Sequence, residues 1–437
     1  MSRLFIRVAV YSTLFCTCLH GQELSLDGSD DAFGSELSLT PLVEPENVNP
    51  THPQTGLTPK IKAFHHPDTL YDLYLPSAYD ENSTRRFPLL LVQNPGGSPK
   101  IESYLDWAEE RAVIVVGLHK VANGMAQHLK PGHWNAFIKD LEAKDVRFQK
   151  GLFLTVGMSG GSADGERFTR HFPEHVCGVI VMGVLNAPAD DRRQHIASGL
   201  IIGGKDSFQS PEGLERMWER IRNKNIAVRA VYDIGRQHET APLSETLMLL
   251  DWLLDLGELR SPQLPEEAKQ AHLENLREEM GRMGSLPSGG ERKDRIAHLL
   301  TLPPLLELPE AESLRALWVE DVLTLAASIP DPAERGVYLL DISTDSEVFP
   351  QLKDAEKVSY AEAVARLRQR DGLADLPAQW RELEDIKEQE WKAHLDKDAL
   401  RQVDQSYADV LKRMSIPSLQ ERARQARERL KGFLQEG

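Results

Sequence analysis

The sequence predicts an α/β protein, with a doubly wound, mostly parallel sheet over residues 60–260 and an all-helical region over residues 261–437. Three observations support this fold class. Short apolar runs alternate with amphipathic segments of helical length, as in strand-helix-strand units. A turn of small residues at 157–161 separates one such strand from its helix. Beyond residue 260 the apolar residues recur at spacings of three and four between proline and glycine, which is typical of helices.

Seven apolar segments have the length of strands, and Phe87 to Val92 has the unbroken apolar character of a strand buried on both faces. Helical segments between them supply the crossovers that parallel strands need. The run from Val337 to Ile342 is ambiguous between strand and helix. The predicted strands are 69–75, 87–92, 112–118, 152–156, 176–182, 200–202 and 227–232, and the helices among them are 101–111, 134–141, 163–171, 211–222 and 242–256. The later helices are 265–283, 291–302, 311–327, 360–370, 377–394 and 417–434.

The N-terminus resembles a secretory signal peptide. Two arginines precede an apolar run from Val8 to Leu19, which is too short to span a bilayer as a mature helix. We therefore predict a signal peptide at 1–21 and export to the periplasm or the extracellular space, with a cytoplasmic protein as the alternative. Residues 22–59 are rich in polar residues and proline, and we predict a disordered linker there. Without the leader only Cys177 remains, so no intramolecular disulfide can form.

The charge balance limits the classes of partner. A formal net charge of −16 gives no electrostatic support to a nucleic-acid role, and an anionic membrane surface would repel the chain. Outside the leader no segment approaches the ~18 continuous apolar residues of a transmembrane helix. We therefore expect no nucleic-acid partner and no membrane insertion after the leader is removed.

The turn Gly157-Met-Ser-Gly-Gly161 carries the predicted nucleophile, Ser159. A serine held on a sharp bend between strand and helix leaves no room for side chains two residues to either side, and glycines occupy both of those positions. Ser162 is the weaker candidate, because Asp164 stands two residues after it, where the bend requires a small residue. The pattern alone also fits a Gly/Ser-rich loop without chemistry.

A serine hydroxyl is a weak nucleophile at neutral pH, so Ser159 needs a base and an acid that orients the base. Asp206 follows one later strand and His238 follows the next, which gives the chain order Ser159, Asp206, His238. We predict Asp206 as the acid and His238 as the base. Asp233 and Glu239 flank the histidine and are alternative acids. Taken singly, Asp206 also fits an ordinary turn and His238 a surface loop.

The loop after the strand ending at Val92 carries the predicted oxyanion donors. A tetrahedral intermediate needs preorganised N–H groups, and a glycine-bearing loop at this strand end can bring backbone donors close to the nucleophile. Pro95 has no N–H, whereas the three residues after it do. We predict an oxyanion hole made of Gly97 and Gly160, the residue directly after the nucleophile. A simple strand-to-helix turn is the alternative for this loop.

Together these residues resemble the α/β-hydrolase family, and more narrowly its secreted esterase branch, which includes polyhydroxybutyrate-depolymerase-like and dienelactone-hydrolase-like enzymes. By position the family's nucleophile, acid and base fall on Ser159, Asp206 and His238. The family often has His-Gly where this chain has Asn94-Pro95, so the donor in this loop is not assigned by the resemblance. The segments that carry the resemblance are 71–76, 93–97, 157–161, 203–206 and 235–238.

The resemblance implies neither a metal nor an organic cofactor. No HExxH pattern or cysteine pair accompanies the closest histidine pairs, which we interpret as surface residues. These pairs are His65 with His66, His128 with His133, and His171 with His175.

The function we expect is a serine hydrolase that cleaves carboxylic esters, small or polymeric, through an acyl-enzyme intermediate. One alternative is a peptidase of the prolyl-oligopeptidase type, which shares the fold and the order of the three residues. Another is a non-catalytic, hydrolase-like scaffold whose helical tail binds a protein partner.

Overall fold

A computed structural model describes residues 54–64, 66, 68–79, 84–184, 195–223 and 226–435. The predicted leader at 1–21, most of the predicted linker and His65 lie outside the described residues. No helix in the described stretches combines the length and the apolar character that crossing a membrane requires.

The described residues contain one sheet of eight strands in the order β1-β2-β4-β3-β5-β6-β7-β8. β2 pairs antiparallel with β1 and β4, and every other pairing is parallel. This arrangement, with the helices that follow it, confirms the predicted fold class of a doubly wound, mostly parallel α/β sheet followed by a helical C-terminal region. The strands are β1 Gly56–Lys62, β2 Leu70–Leu75, β3 Phe87–Gln93, β4 Ile114–His119, β5 Phe148–Gly157, β6 Val176–Met182, β7 Ala197–Gly203 and β8 Val228–Asp233.

Helices cover both faces of the sheet. The unbroken apolar runs of β3, β6 and β7 are buried along their whole length, as strands covered on both faces must be. The helices among the strands are α1 Leu105–Arg111, α2 Lys130–Ala143, α3 Gly160–His171, α4 Pro211–Asn223 and α5 Leu243–Arg260. After α5 come α6 Glu266–Arg282, α7 Gly290–Leu300, α8 Glu310–Ser328, α9 Pro332–Asp345, α10 Asp354–Arg370, α11 Leu376–Ala393, α12 Lys397–Arg413 and α13 Pro417–Gln435.

Three segments differ from the sequence-based expectation. β1 begins at Gly56, so its first four residues lie within the predicted linker, and it is held by pairing with β2 rather than by an apolar core of its own. The ambiguous run Val337 to Ile342 lies inside α9, where Asp331 accepts hydrogen bonds from two N–H groups and so starts the helix. α12 was not predicted, although its buried residues Leu400, Val403, Tyr407 and Val410 follow helical spacing.

The helical region packs against the sheet domain through α5. Trp252 on α5 is fully buried, and its indole N–H donates to the carbonyl of Thr301 at 3.1 Å. Leu253 of the same helix shares one apolar core with Leu299 of α7 and Leu314 of α8. The part of the chain after residue 260 is therefore joined to the sheet by a continuous core.

Candidate active site

Ser159 lies on a strained bend between β5 and α3. Its backbone has φ 53° and ψ −120°, a region that residues with a side chain rarely adopt. A Cβ on Gly157 or Gly161 would lie 2.6 Å from backbone atoms, those of Gly161 and of Gln93 respectively. The two glycines are therefore required by close backbone approach, as the sequence pattern indicated.

Backbone hydrogen bonds to β6 fix this bend. The Ser159 N–H donates to the carbonyl of Met182 at 2.8 Å. The hydroxyl of Ser162 accepts from the Met182 N–H at 2.9 Å and donates to the carbonyl of Gly157. Ser162, the weaker nucleophile candidate, is thus fully buried and bonds the bend to the sheet.

His238, in the loop after β8, lies next to the serine hydroxyl. Its Nε2 is 2.9 Å from the Oγ of Ser159, and its ring is 28% exposed. A hydrogen bond of this length lets the imidazole accept the hydroxyl proton while one side of the ring faces solvent. The structure therefore brings the predicted base to the predicted nucleophile.

Asp206, in the loop after β7, holds the other nitrogen of the imidazole. Both of its carboxylate oxygens lie close to Nδ1 of His238, at 3.0 and 3.1 Å, and the residue is buried. Because a carboxylate only accepts, Nδ1 carries the proton and Nε2 is left to face the Ser159 hydroxyl. The alternative acids Asp233 and Glu239 are exposed, and Asp233 instead accepts the N–H of Gly235.

The loops that carry the acid and the base are bonded to each other. The Gly204 N–H donates to the carbonyl of Asp233 at 2.8 Å, and the Lys205 N–H donates to that of Arg236 at 2.9 Å. A Cβ on Gly204 would lie 2.5 Å from the carbonyl oxygen of Ile234. Contact this close lets the two loops act as one unit, and it explains the glycine before Lys205.

The two predicted oxyanion donors differ in availability. Gly160 opens α3, so its N–H is one of those without an intrahelical acceptor, and the described residues offer it no other. The N–H of Gly97 donates to the carbonyl of Asn94 at 2.9 Å, and that of Gly96 donates to the Asn94 side chain at 2.8 Å. In this conformation Gly97 is not free to donate, because the turn that positions the loop uses its N–H.

Two side chains that the sequence did not indicate lie beside the site. Phe208, two residues after the acid, is 60% exposed, and its ring centroid is 4.6 Å from that of His238. Asn123 packs so closely on Gly160 that a Cβ there would lie 1.6 Å from its Oδ1. An exposed aromatic ring next to the predicted base could have been suspected only after Asp206 was assigned, because a single residue in a loop is its only signal in the sequence.

The interpretation of the paired histidines as surface residues is wrong for one histidine in each of two pairs. His133 and His175 are buried, and Nδ1 of His133 lies 2.8 Å from the hydroxyl of Thr69.

Asp255, Glu258 and His272 offer oxygen and nitrogen atoms within 4.8 Å of one another, as a metal site would. Asp255 is already paired with Arg111 and His298. The Arg111 guanidinium therefore already neutralises this carboxylate.

The comparisons with known proteins concern about half of the chain. No family model and no curated protein matches the sequence. Among solved structures it is similar to a ferulic acid esterase, with 12% identity and a TM-score of 0.36 over 47% of this chain and 98% of that chain. A thermophilic esterase of Thermogutta terrifontis matches with 12% identity and a TM-score of 0.36, over 48% of this chain and 97% of that chain.

A third structure is a puromycin-hydrolyzing peptidase of Mycobacterium tuberculosis, at 12% identity and a TM-score of 0.36. The match covers 51% of this chain and 42% of the peptidase, so this chain spans less than half of that protein's length. The hydrogen bonds among Ser159, His238 and Asp206, rather than these likenesses, are what support a function.

Proposed function

We propose that the chain is a serine hydrolase that cleaves carboxylic esters through an acyl-enzyme intermediate. The observation that carries this proposal is the position of His238, with Nε2 at 2.9 Å from Ser159 Oγ and Nδ1 at 3.0 Å from Asp206. A nucleophile, a base and an acid in this sequence of hydrogen bonds are the parts that acyl transfer requires.

In the first step His238 Nε2 takes the hydroxyl proton of Ser159 as Oγ attacks the ester carbonyl carbon. The carbonyl electrons move to oxygen, and the Gly160 N–H donates to the resulting oxyanion. When this intermediate collapses, the bond from carbon to the alcohol oxygen breaks, and His238 returns the proton to the leaving alcohol. The acyl group then remains on Ser159.

In the second step water takes the place of the alcohol, and the same proton transfers release the acid and restore the Ser159 hydroxyl. Asp206 keeps the proton on Nδ1 and stabilises the imidazolium that forms in each step. The second oxyanion donor would come from the loop after β3, where Gly97 serves only if its turn with Asn94 opens.

The backbone of Ser159 supports catalysis over the scaffold alternative. Holding a non-glycine residue in a sparsely populated conformation costs of order 1–3 kcal/mol. A scaffold has no need for this cost, because glycine at the same position would remove it. A bend that presents a serine hydroxyl to an imidazole does need it.

A serine-reactive fluorophosphonate probe tests the assignment directly. We expect it to label the full chain and to fail with Ser159→Ala. Ser98 is exposed on the neighbouring loop, and Ser98→Ala should be labelled like the unmodified chain. Replacing His238 with alanine should slow labelling and lower kcat by about 10⁴-fold or more. Equal labelling of the Ser159→Ala variant would overturn the proposal.

Substrate panels then separate ester from peptide cleavage. p-Nitrophenyl esters of increasing acyl length and peptidyl p-nitroanilides use the same nucleophile and differ in the leaving group. Ester turnover that depends on Ser159, without amide turnover, supports the esterase. Amide turnover with comparable kcat/KM would replace it with the peptidase alternative.

A further inference from the structure

The C-terminal helices contact both loops of the candidate site. The ring of His394, at the end of α11, lies with Nδ1 2.9 Å from the carbonyl of Gly204, in the loop of the acid. Trp391 packs edge-on against Tyr232 at the end of β8, with ring centroids 5.0 Å apart. Arg429 of α13 lies against Gly235, where a Cβ would be 2.6 Å from its Cδ. Residues far along the chain thus reach the supports of Asp206 and His238.

A buried ionic cluster joins the helices to the acid loop. Glu390 of α11 is fully buried and accepts two close contacts from Arg429, at 2.7 and 2.9 Å. The hydroxyl of Tyr407 donates to it at 3.0 Å, and Nζ of Lys205 lies 3.5 Å away. Lys205 is buried and directly precedes Asp206. Burial lowers its pKa, and the carboxylate of Glu390 opposes this shift.

The backbone conformation of His394 shows that the contact between its ring and Gly204 is made at a cost in conformational free energy. Its φ is 46°, a left-handed conformation that favours glycine, and it ends α11. In this conformation its carbonyl accepts from Lys205 Nζ at 3.3 Å while its ring meets Gly204. Glycine at this position would relieve the backbone but could not make the ring contact.

We propose that the C-terminal helical region positions the acid and the base of the site, with Glu390 as a positioning residue that acts through Lys205. The proposal rests on the catalytic roles proposed above for Asp206 and His238. Removing the charge of Glu390 leaves Lys205 buried without a counter-ion, so the lysine moves toward solvent and displaces the adjoining acid. A displacement of about 1 Å at a catalytic group can lower the rate about 100-fold.

A matched pair of variants separates positioning from general stabilisation. Glu390→Gln removes one buried charge at the acid loop. Asp321→Asn removes an equally buried charge, bonded twice to Arg292 at 2.7 Å, within the helical region and without contact to either loop. Both variants should lower the melting temperature. Only Glu390→Gln should lower kcat, by roughly 10- to 100-fold, with KM changed much less, because Glu390 does not reach the substrate.

The pH profile gives a second readout. A neighbouring carboxylate stabilises a protonated imidazole, so the pH dependence of kcat/KM reports how closely Asp206 is held to the imidazole. The acid limb of kcat/KM should therefore move to lower pH in Glu390→Gln and stay in place in Asp321→Asn. Glu390→Asp, which keeps the charge, should restore part of kcat.

His394→Gly covers the case in which Glu390→Gln does not fold. It relieves the left-handed backbone, so the melting temperature should stay close to that of the unmodified chain while kcat falls several-fold. The inference would be overturned if kcat were unchanged in both Glu390→Gln and His394→Gly. It would also be overturned if Asp321→Asn lost kcat in parallel with its melting temperature, as Glu390→Gln does.

The proposed function would be contradicted by a different result, namely an unmodified chain that neither reacts with the probe nor turns over esters. For that case the low-field proton NMR signal of the hydrogen bond between His238 and Asp206 measures positioning without activity. It should be present in the unmodified chain, absent in Asp206→Asn and weakened in Glu390→Gln. A signal of full strength in Glu390→Gln would overturn the inference on its own.

Discussion

The strained bend at Ser159 allows a prediction about stability that is independent of any substrate. The residue has φ 53° and ψ −120° and also bonds His238 through its hydroxyl. Replacing it with alanine or with glycine removes that hydrogen bond equally, so the bond cancels when the two variants are compared. What differs is the backbone, which alanine leaves strained and glycine relaxes.

The expected difference follows from two opposing contributions. Relief of the strained conformation stabilises the glycine variant by about 1–3 kcal/mol. The greater backbone freedom of glycine in the unfolded chain lowers the free energy of unfolding of this variant by about 0.5–1 kcal/mol. We therefore expect the free energy of unfolding of Ser159→Gly to exceed that of Ser159→Ala by about 0.5–2 kcal/mol.

Urea denaturation of both variants, compared at equal slope, measures this difference. Ser359 provides the matched control, because it is exposed in α10 with an ordinary helical backbone. There glycine should be about 1 kcal/mol less stable than alanine, the opposite sign. A Ser159→Gly variant no more stable than Ser159→Ala would refute the strain and, with it, the argument against a scaffold.

Three further predictions concern the surroundings of the site. Gly161→Ala should lower the free energy of unfolding by about 1–3 kcal/mol, because its Cβ would lie 2.6 Å from the carbonyl oxygen of Gln93. Burial lowers the pKa of His133, so its neutral form is favoured in the fold. The free energy of unfolding should therefore fall as pH drops below about 6.5, by up to about 1.4 kcal/mol per pH unit, and His133→Gln should make this slope shallower in urea denaturation at pH 5 to 7. Phe208→Ala should raise KM for aromatic acyl esters about fivefold, which corresponds to about 1 kcal/mol of lost apolar contact, and leave kcat unchanged, because the ring flanks His238 without bonding it.

Each of these three has its own contrary result. Gly281 on α6 has open space around it, so Gly281→Ala should stabilise by about 1 kcal/mol, and equal destabilisation at both glycines would contradict the packing argument. A pH slope unaffected by His133→Gln would mean that folding does not lower the pKa of this histidine. An acetyl group offers little apolar surface for the ring to contact, so an equal effect of Phe208→Ala on acetyl and aromatic esters would remove the proposed role of Phe208 in substrate contact.

The arrangement of the candidate site could be predicted from the sequence because a small number of geometric rules determine it. Parallel strands end at one edge of a sheet, so residues that follow β5, β7 and β8 must come close together. Chain order and strand exits were enough to select Ser159, Asp206 and His238 from the many serines, acids and histidines of the chain. The hydrogen bond from the Gly97 N–H to the Asn94 carbonyl depends on the turn geometry of one loop, which the sequence does not specify.

The contacts of the helical region were not open to prediction in this way. Helical spacing indicates which face of α11 is buried but not what covers it. Glu390 had the appearance of one charge among many on an amphipathic helix, and its partners lie on three other segments, the nearest of them 17 residues away. β1 was missed for a related reason, since its residues are largely exposed and its order comes from pairing with β2.

The hydrogen bonds between the two loops explain how one remote contact can influence both Asp206 and His238, the proposed acid and base. Gly204 and Lys205 donate to carbonyls in the loop of His238, so neither loop can move far without the other. A displacement of Lys205 on loss of Glu390 is therefore passed from the loop of Asp206 to the loop of His238. It should weaken the hydrogen bond between these two side chains and also lengthen the distance between Nε2 and Oγ, on which proton transfer depends. This places the sensitive step in the attack of Ser159, so the rate of probe labelling and kcat should fall together.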